Sequence, residues 1–139
     1  MEINNLEFLV QELYNNPNNA NMNNIYGTIF SKECLYVLLN PNLFDELENI
    51  KPFSIKMENN NWILCFTDLN ILLNFKNKYL NQSLSYMCLS PKKVYDLIKP
   101  LEKYNIEGIC FNKGYYEWKN SFKEIDYVID SYLKYYNMY

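Results

Sequence analysis

Apolar residues recur at helical spacing at Ile3, Leu6, Leu9, Val10 and Leu13, which predicts an amphipathic first helix over residues 3–14. The run Asn15-Asn16-Pro17-Asn18-Asn19 ends it, because proline and asparagine both favour turns. The Asn-rich stretch 15–24 reads as a surface loop, followed by a short helical turn at 26–30. Residues 34–39 form a continuous apolar run of strand length, closed by Asn40-Pro41-Asn42. Phe53, Ile55 and Met57 alternate with Ser54 and Lys56, the pattern of a strand with one wet face. Asn59-Asn60-Asn61 offers left-handed backbone angles for a hairpin turn, and 62–66 returns as the partner strand.

Thr67-Asp68 supplies a capping side chain for a helix that carries Leu69, Leu72 and Leu73 to about residue 78. A strand is predicted at 84–89. Ser90-Pro91 then starts a helix, with an N-cap serine and proline at the first helical position. Val94, Leu97, Ile98 and Leu101 form its apolar face. A strand at 107–111, a turn at Asn112-Lys113-Gly114 and a short strand at 115–118 follow. Ser121 and Glu124 have capping-box spacing and open a last helix with Phe122, Ile125, Val128, Ile129, Leu133 and Tyr136 on one face. No repeat and no linker divides the chain. The pattern predicts one compact α+β domain over residues 1–139, a mixed sheet of about five strands flanked by helices.

A strand ending in Phe66-Thr67-Asp68, straight after a short hairpin and straight before a helix, resembles the N-terminal domain of the SseB family, named for enhanced serine sensitivity. Glu107-Gly108-Ile109-Cys110-Phe111-Asn112 is similar to that family's Gly-Ile/Leu-x-Asn-Pro stretch, with Lys113 where the family has proline. The resemblance covers residues 3–135. It implies an α+β fold with helices around a mixed sheet, and it carries over no catalytic residue.

Composition narrows the chemistry. The 139 residues include no His and no Arg, against 13 Lys and 16 Asp plus Glu, for a net charge of −3. Without imidazole the usual serine and cysteine nucleophile systems and the commonest metal ligand are missing. Without guanidinium there is no bidentate phosphate or carboxylate fork. The lysines are scattered and the charge is negative, so a nucleic-acid partner is disfavoured. Asparagine (23 residues) and tyrosine (14 residues) are abundant. Much of that abundance reads as the codon bias of an AT-rich genome, which discounts individual asparagines as selected groups. The apolar runs are too short for a bilayer and the first residues lack a secretory pattern, so the expected location is cytoplasmic, with no membrane partner. Cys34, Cys65, Cys88 and Cys110 each sit among apolar neighbours without a C-x-x-C pair, which reads as reduced core cysteine rather than a zinc site. No cofactor is expected.

The candidate surfaces follow from these exclusions. Asp68 reads first as an N-cap, and a ligand role there needs a partner carboxylate. Asp45, Glu46 and Glu48, with Glu33 and Glu58 as neighbours, read as a solvated acidic loop or as a docking patch for a basic partner. Tyr115, Tyr116 and Trp118, together with Tyr132 and Tyr135 of the last helix, exceed what one helix face buries and are candidate interface anchors. Gly27, Gly108 and Gly114 make no phosphate loop. The expectation is a non-catalytic protein-binding domain, either an SseB-like adaptor or regulator, which self-associates, or an immunity protein that neutralises a basic toxin. The competing expectation, a small enzyme using Asp, Lys or Cys, requires a deep pocket lined by Asp68, Lys113 or a cysteine.

Overall fold

The computed structural model describes residues 5–39, 52–79 and 85–137, with the side chains of Tyr79 and of residues 131–137 left aside. In chain order these form α1 (Asn5–Asn15), α2 (Asn19–Phe30), β1 (Leu35–Leu39), β2 (Ser54–Met57), β3 (Asn60–Phe66) and α3 (Leu69–Tyr79). There follow β4 (Ser85–Leu89), α4 (Pro91–Ile98) with a 3-10 extension to Tyr104, β5 (Ile106–Phe111), β6 (Trp118–Ser121) and α5 (Phe122–Asn137). The described residues thus contain five α-helices and a mixed six-stranded sheet in a single α+β domain, as the pattern predicts. None of these helices is long and apolar enough to cross a membrane.

The sheet runs β4-β1-β3-β5-β6, with β2 hairpinned onto the first half of β3. Neighbours are antiparallel except β3 and β5, which pair in parallel from Asn61↔Ile106 to Cys65↔Phe111. Alternation along β3 explains its unbroken apolar run, because both faces of the strand are covered. Ile63 and Cys65 face a core shared with Leu6 and Val10 of α1, Ile25 and Ile29 of α2, Val94 and Ile98 of α4, and Phe122 and Ile125 of α5. Trp62, Leu64 and Phe66 face a smaller core closed by Leu72 and Phe75 of α3. Gly108 of β5 has no room for a side chain: a Cβ there would lie 2.0 Å from the Asn120 carbonyl oxygen of β6.

Local signals explain the helix starts. The Ser90 hydroxyl accepts the Lys93 N–H at 3.4 Å, with Pro91 at the first helical position. The capping box is complete: the Ser121 N–H donates to Glu124 Oε1 at 3.1 Å and the Glu124 N–H to Ser121 Oγ at 3.2 Å.

Four expectations need correction. The Asn-rich stretch is not a loop throughout, since α2 begins at Asn19 with Asn18 as its cap, accepting the Asn21 N–H at 2.8 Å. Burial of Ile25, Tyr26 and Ile29 overrides the weak helix propensity of asparagine. Asn21 also donates to the Asn16 carbonyl at 2.8 Å and the Glu12 carbonyl at 3.3 Å, tying α2 to the end of α1. The hairpin turn sits at Glu58 and Asn59, one position early, with φ of 52° and 72° as a two-residue primed turn needs. The strand placed at 115–118 starts only at Trp118, because Asn112, Gly114 and Tyr116 all adopt positive φ and hold the preceding segment in a loop. Finally, Cys34 and Cys88 are joined in a disulfide with Cα atoms 5.7 Å apart, linking β4 to the approach to β1. Only Cys65 and Cys110 are the buried free thiols expected of all four.

Candidate functional site

The parallel strands β3 and β5 end side by side, and Phe66-Thr67-Asp68 meets Asn112 there. Asn112, fully buried, accepts the Thr67 N–H on Oδ1 at 2.9 Å and donates from Nδ2 to Thr67 Oγ1 at 3.0 Å. Its own N–H donates to the Cys65 carbonyl at 2.9 Å. The left-handed φ of 54° at Asn112 turns the chain out of β5, and asparagine tolerates that angle better than other side chains with a Cβ. The Tyr115 N–H closes the turn onto the Asn112 carbonyl at 2.9 Å. Beside it, the Asp68 carboxylate accepts the Asn70 N–H at 2.7 Å and starts α3, as the capping reading expects.

These elements border an open groove of about 760 Å³. One side is α3, which contributes the buried Phe75, the partly buried Ile71 and the exposed Asn70, Asn74 and Asn77. The other side is the loop from Lys113 to Tyr116, with Glu7 of α1 at its edge. Tyr115 is 53% exposed and its ring packs edge-on against Tyr116, centroids 4.8 Å apart. Burial pushes the Tyr116 hydroxyl above its ordinary pKa, and the negative charges of Asp68 and Glu7 add to the rise.

The loop is braced from behind. Lys113 pairs with Glu117 at 3.2 Å, and the Tyr14 hydroxyl of α1 donates to the Glu117 carbonyl. The Cys110 thiol points at Glu117 Oε2 from 3.8 Å. A thiol, an amine and a carboxylate therefore do meet. The thiol, however, is fully buried, and burial first, then Glu117, pushes its pKa up to about 12. It stays protonated at neutral pH and lies behind the groove rather than in it.

Asp68 and Lys113 line the groove, as the enzyme expectation requires, and Tyr115 and Tyr116 line it as the interface expectation requires. Trp118 does not. It is 2% exposed and stacks on Phe111 at 4.7 Å, so it is a core residue. Asp45, Glu46 and Glu48 lie outside the described residues, as do the side chains of Tyr132 and Tyr135. Glu58 pairs with Lys119 at 3.2 Å, away from this groove. Among the described residues no group of three acidic or thiol side chains is placed to hold a metal ion.

Sequence reasoning missed Glu117, Tyr14 and the α3 asparagines. Lys113 and Glu117 stand four apart, but outside a helix that spacing carries no signal. Asn70, Asn74 and Asn77 do have helical spacing, but the abundance of asparagine had discounted them.

No family model matches the chain, and neither the curated proteins nor the solved structures contain a match to it.

Proposed function

We propose that the chain is a non-catalytic protein-binding domain, an adaptor or regulator of the SseB-like kind, and that it docks its partner in the groove beside α3. The observation that carries this reading is Tyr115, an exposed aromatic ring on a loop whose base is locked by the Asn112–Thr67 hydrogen bonds. A large side chain mounted on a fixed loop loses little freedom on binding and excludes water over a wide area. The groove favours contact over covalent chemistry. Asp68 is engaged in capping α3, Lys113 in pairing with Glu117, and the nearest thiol is held protonated.

A second reading, a toxin-neutralising immunity protein, draws on the net charge of −3, which speeds the encounter with a basic partner.

The test is site-specific photocrosslinking in the native cell. A photoreactive residue at position 115 is compared with one at position 104, an exposed tyrosine that does not line the groove. One protein captured from position 115 and not from 104 supports the reading, and a captured second copy of the chain assigns the surface to self-association. Identical products from both positions, or none, overturn it.

A further inference from the structure

The Cys34–Cys88 bond lies at an edge of the sheet, on the strand that packing holds least. β4 ends the strand order, and among the described residues only β1 pairs with it, from Leu35↔Leu89 to Leu39↔Ser85. None of the five β4 side chains is buried, whereas β1, β3, β5 and β6 each bury at least two. β2 also buries none, but a two-residue turn holds it to β3. β4 has no such turn, since β2, β3 and α3 separate it from β1 in the chain. It is held by the backbone ladder, an edge-on contact of Tyr86 with Tyr36 at 6.0 Å, the partly buried Leu89 and the disulfide.

The bond runs diagonally across the ladder. Cys88 stands opposite Tyr36, and its Cα lies 5.7 Å from that of Cys34, within the ordinary span of a disulfide. Cys88 is exposed and Cys34 half-buried, whereas the free thiols of Cys65 and Cys110 are fully buried. A thiol reagent in solution therefore reaches this pair and not the other two.

We infer that the bond is a thiol–disulfide switch on β4. Closed, it pins the edge strand to β1. Opened by a dithiol, it leaves β4 free to separate from β1 while the rest of the sheet stays in place. A thiolate of the dithiol attacks Cys88 Sγ, the bond to Cys34 breaks, and Cys34 leaves as a thiolate that takes up a proton. The second thiol of the reagent loses its proton, closes on its own sulfur and releases Cys88. The protein gains two electrons and two protons, and the dithiol gives up both as it becomes a disulfide. Separation is local because the neighbours remain docked. Val37 and Leu38 of β1 stay buried in the two cores, as do Val94 and Ile98 of α4. An edge strand with few buried contacts is the kind of element that opens without global unfolding. The redox poise of the surroundings sets which form prevails, whatever partner occupies the groove.

The test uses the whole protein, first equilibrated with oxidised glutathione. Dithiothreitol is added without denaturant, followed by iodoacetamide and intact mass measurement. Two adducts are expected, at Cys34 and Cys88, against four when denaturant is present. Hydrogen exchange read by mass spectrometry then compares the oxidised and reduced forms. Amides of residues 85–89 should exchange at least about tenfold faster after reduction, and those of β3 and β5 should stay within about twofold. The double variant Cys34→Ser, Cys88→Ser should exchange like the reduced protein and ignore dithiothreitol. If that variant does not fold, the reduced wild-type protein supplies the comparison alone. No reduction without denaturant overturns the inference, as does unchanged exchange at β4 or faster exchange spread over the whole sheet. A protein that holds no Cys34–Cys88 bond after oxidised glutathione overturns it too, because there is then nothing to switch.

Discussion

The Asn112 carboxamide and the Thr67 backbone lock the ends of two parallel strands together, with the Thr67 N–H donating to Asn112 Oδ1 at 2.9 Å in a fully buried setting. The bond spans 45 residues of sequence and fixes where both the groove loop and α3 begin. Asn112→Ala leaves that amide without an acceptor and puts an ordinary side chain at left-handed φ. The expected loss is about 2–4 kcal/mol of stability. Asn112→Gly relieves the backbone but not the amide and is expected to lose about 1–3 kcal/mol. Urea unfolding at unchanged m-value checks both, and a loss below about 0.5 kcal/mol for Asn112→Ala contradicts the assignment.

Tyr115 and Trp118 lie three residues apart with opposite environments. Trp118→Ala empties a buried site stacked on Phe111 and is expected to cost about 3–5 kcal/mol. Tyr115→Ala removes an exposed ring and is expected to stay within about 0.5 kcal/mol. Thermal or chemical melts of the two variants decide this, and comparable losses would mean that the loop is not laid out as described.

Alkaline pH should destabilise the fold. The Cys110 thiol is raised from 9.0 to about 12 by burial, and burial also raises the free Cys65 thiol. Burial raises Tyr95 to about 12, with its hydrogen bond to Asp126 adding to the effect. In each case the folded state holds its proton more tightly than the unfolded chain. Their contribution is therefore complete below pH 9 and is lost as pH rises from 9 toward 12. Lys99, raised to about 12 mainly by its hydrogen bond to Asp126, acts in the same direction above pH 10.5. Urea midpoints at pH 8, 9, 10 and 11 should fall progressively, and Cys110→Ala should flatten the fall between pH 9 and 10. A midpoint that is constant across this range contradicts the burial of these groups.

The cysteines fall into two classes that alkylation distinguishes. With Cys34 and Cys88 bonded, the unfolded but unreduced protein should take up two iodoacetamide adducts, and four after reduction. Intact mass measures both. Four adducts without reduction would mean that the bond does not form in the protein as prepared.

Much of the fold was legible because local chemistry and tertiary packing agree. Ser90-Pro91 and Ser121 with Glu124 mark helix starts that the structure keeps, and 62–66 reads as a strand because both of its faces are buried. Where the two levels disagree, packing prevails. The four asparagines between positions 19 and 24 have poor helix propensity, yet they belong to a helix anchored by Ile25 and Ile29. The Cys34–Cys88 pairing is not written in the spacing of four isolated cysteines, since connectivity depends on which strands become neighbours. The site was half legible. Tyr115, Tyr116, Asp68 and Lys113 stood out as residue types, but their assembly depends on a parallel strand pairing that no local pattern encodes.

That pairing has a kinetic consequence. β3 and β5 are separated by α3, β4 and α4, so their union closes a long stretch of chain and gains nothing until both strands are in place. The groove is therefore absent from any partly folded form that lacks this contact. A partner seated there binds the finished molecule alone, and by mass action it drains the population of incomplete ones.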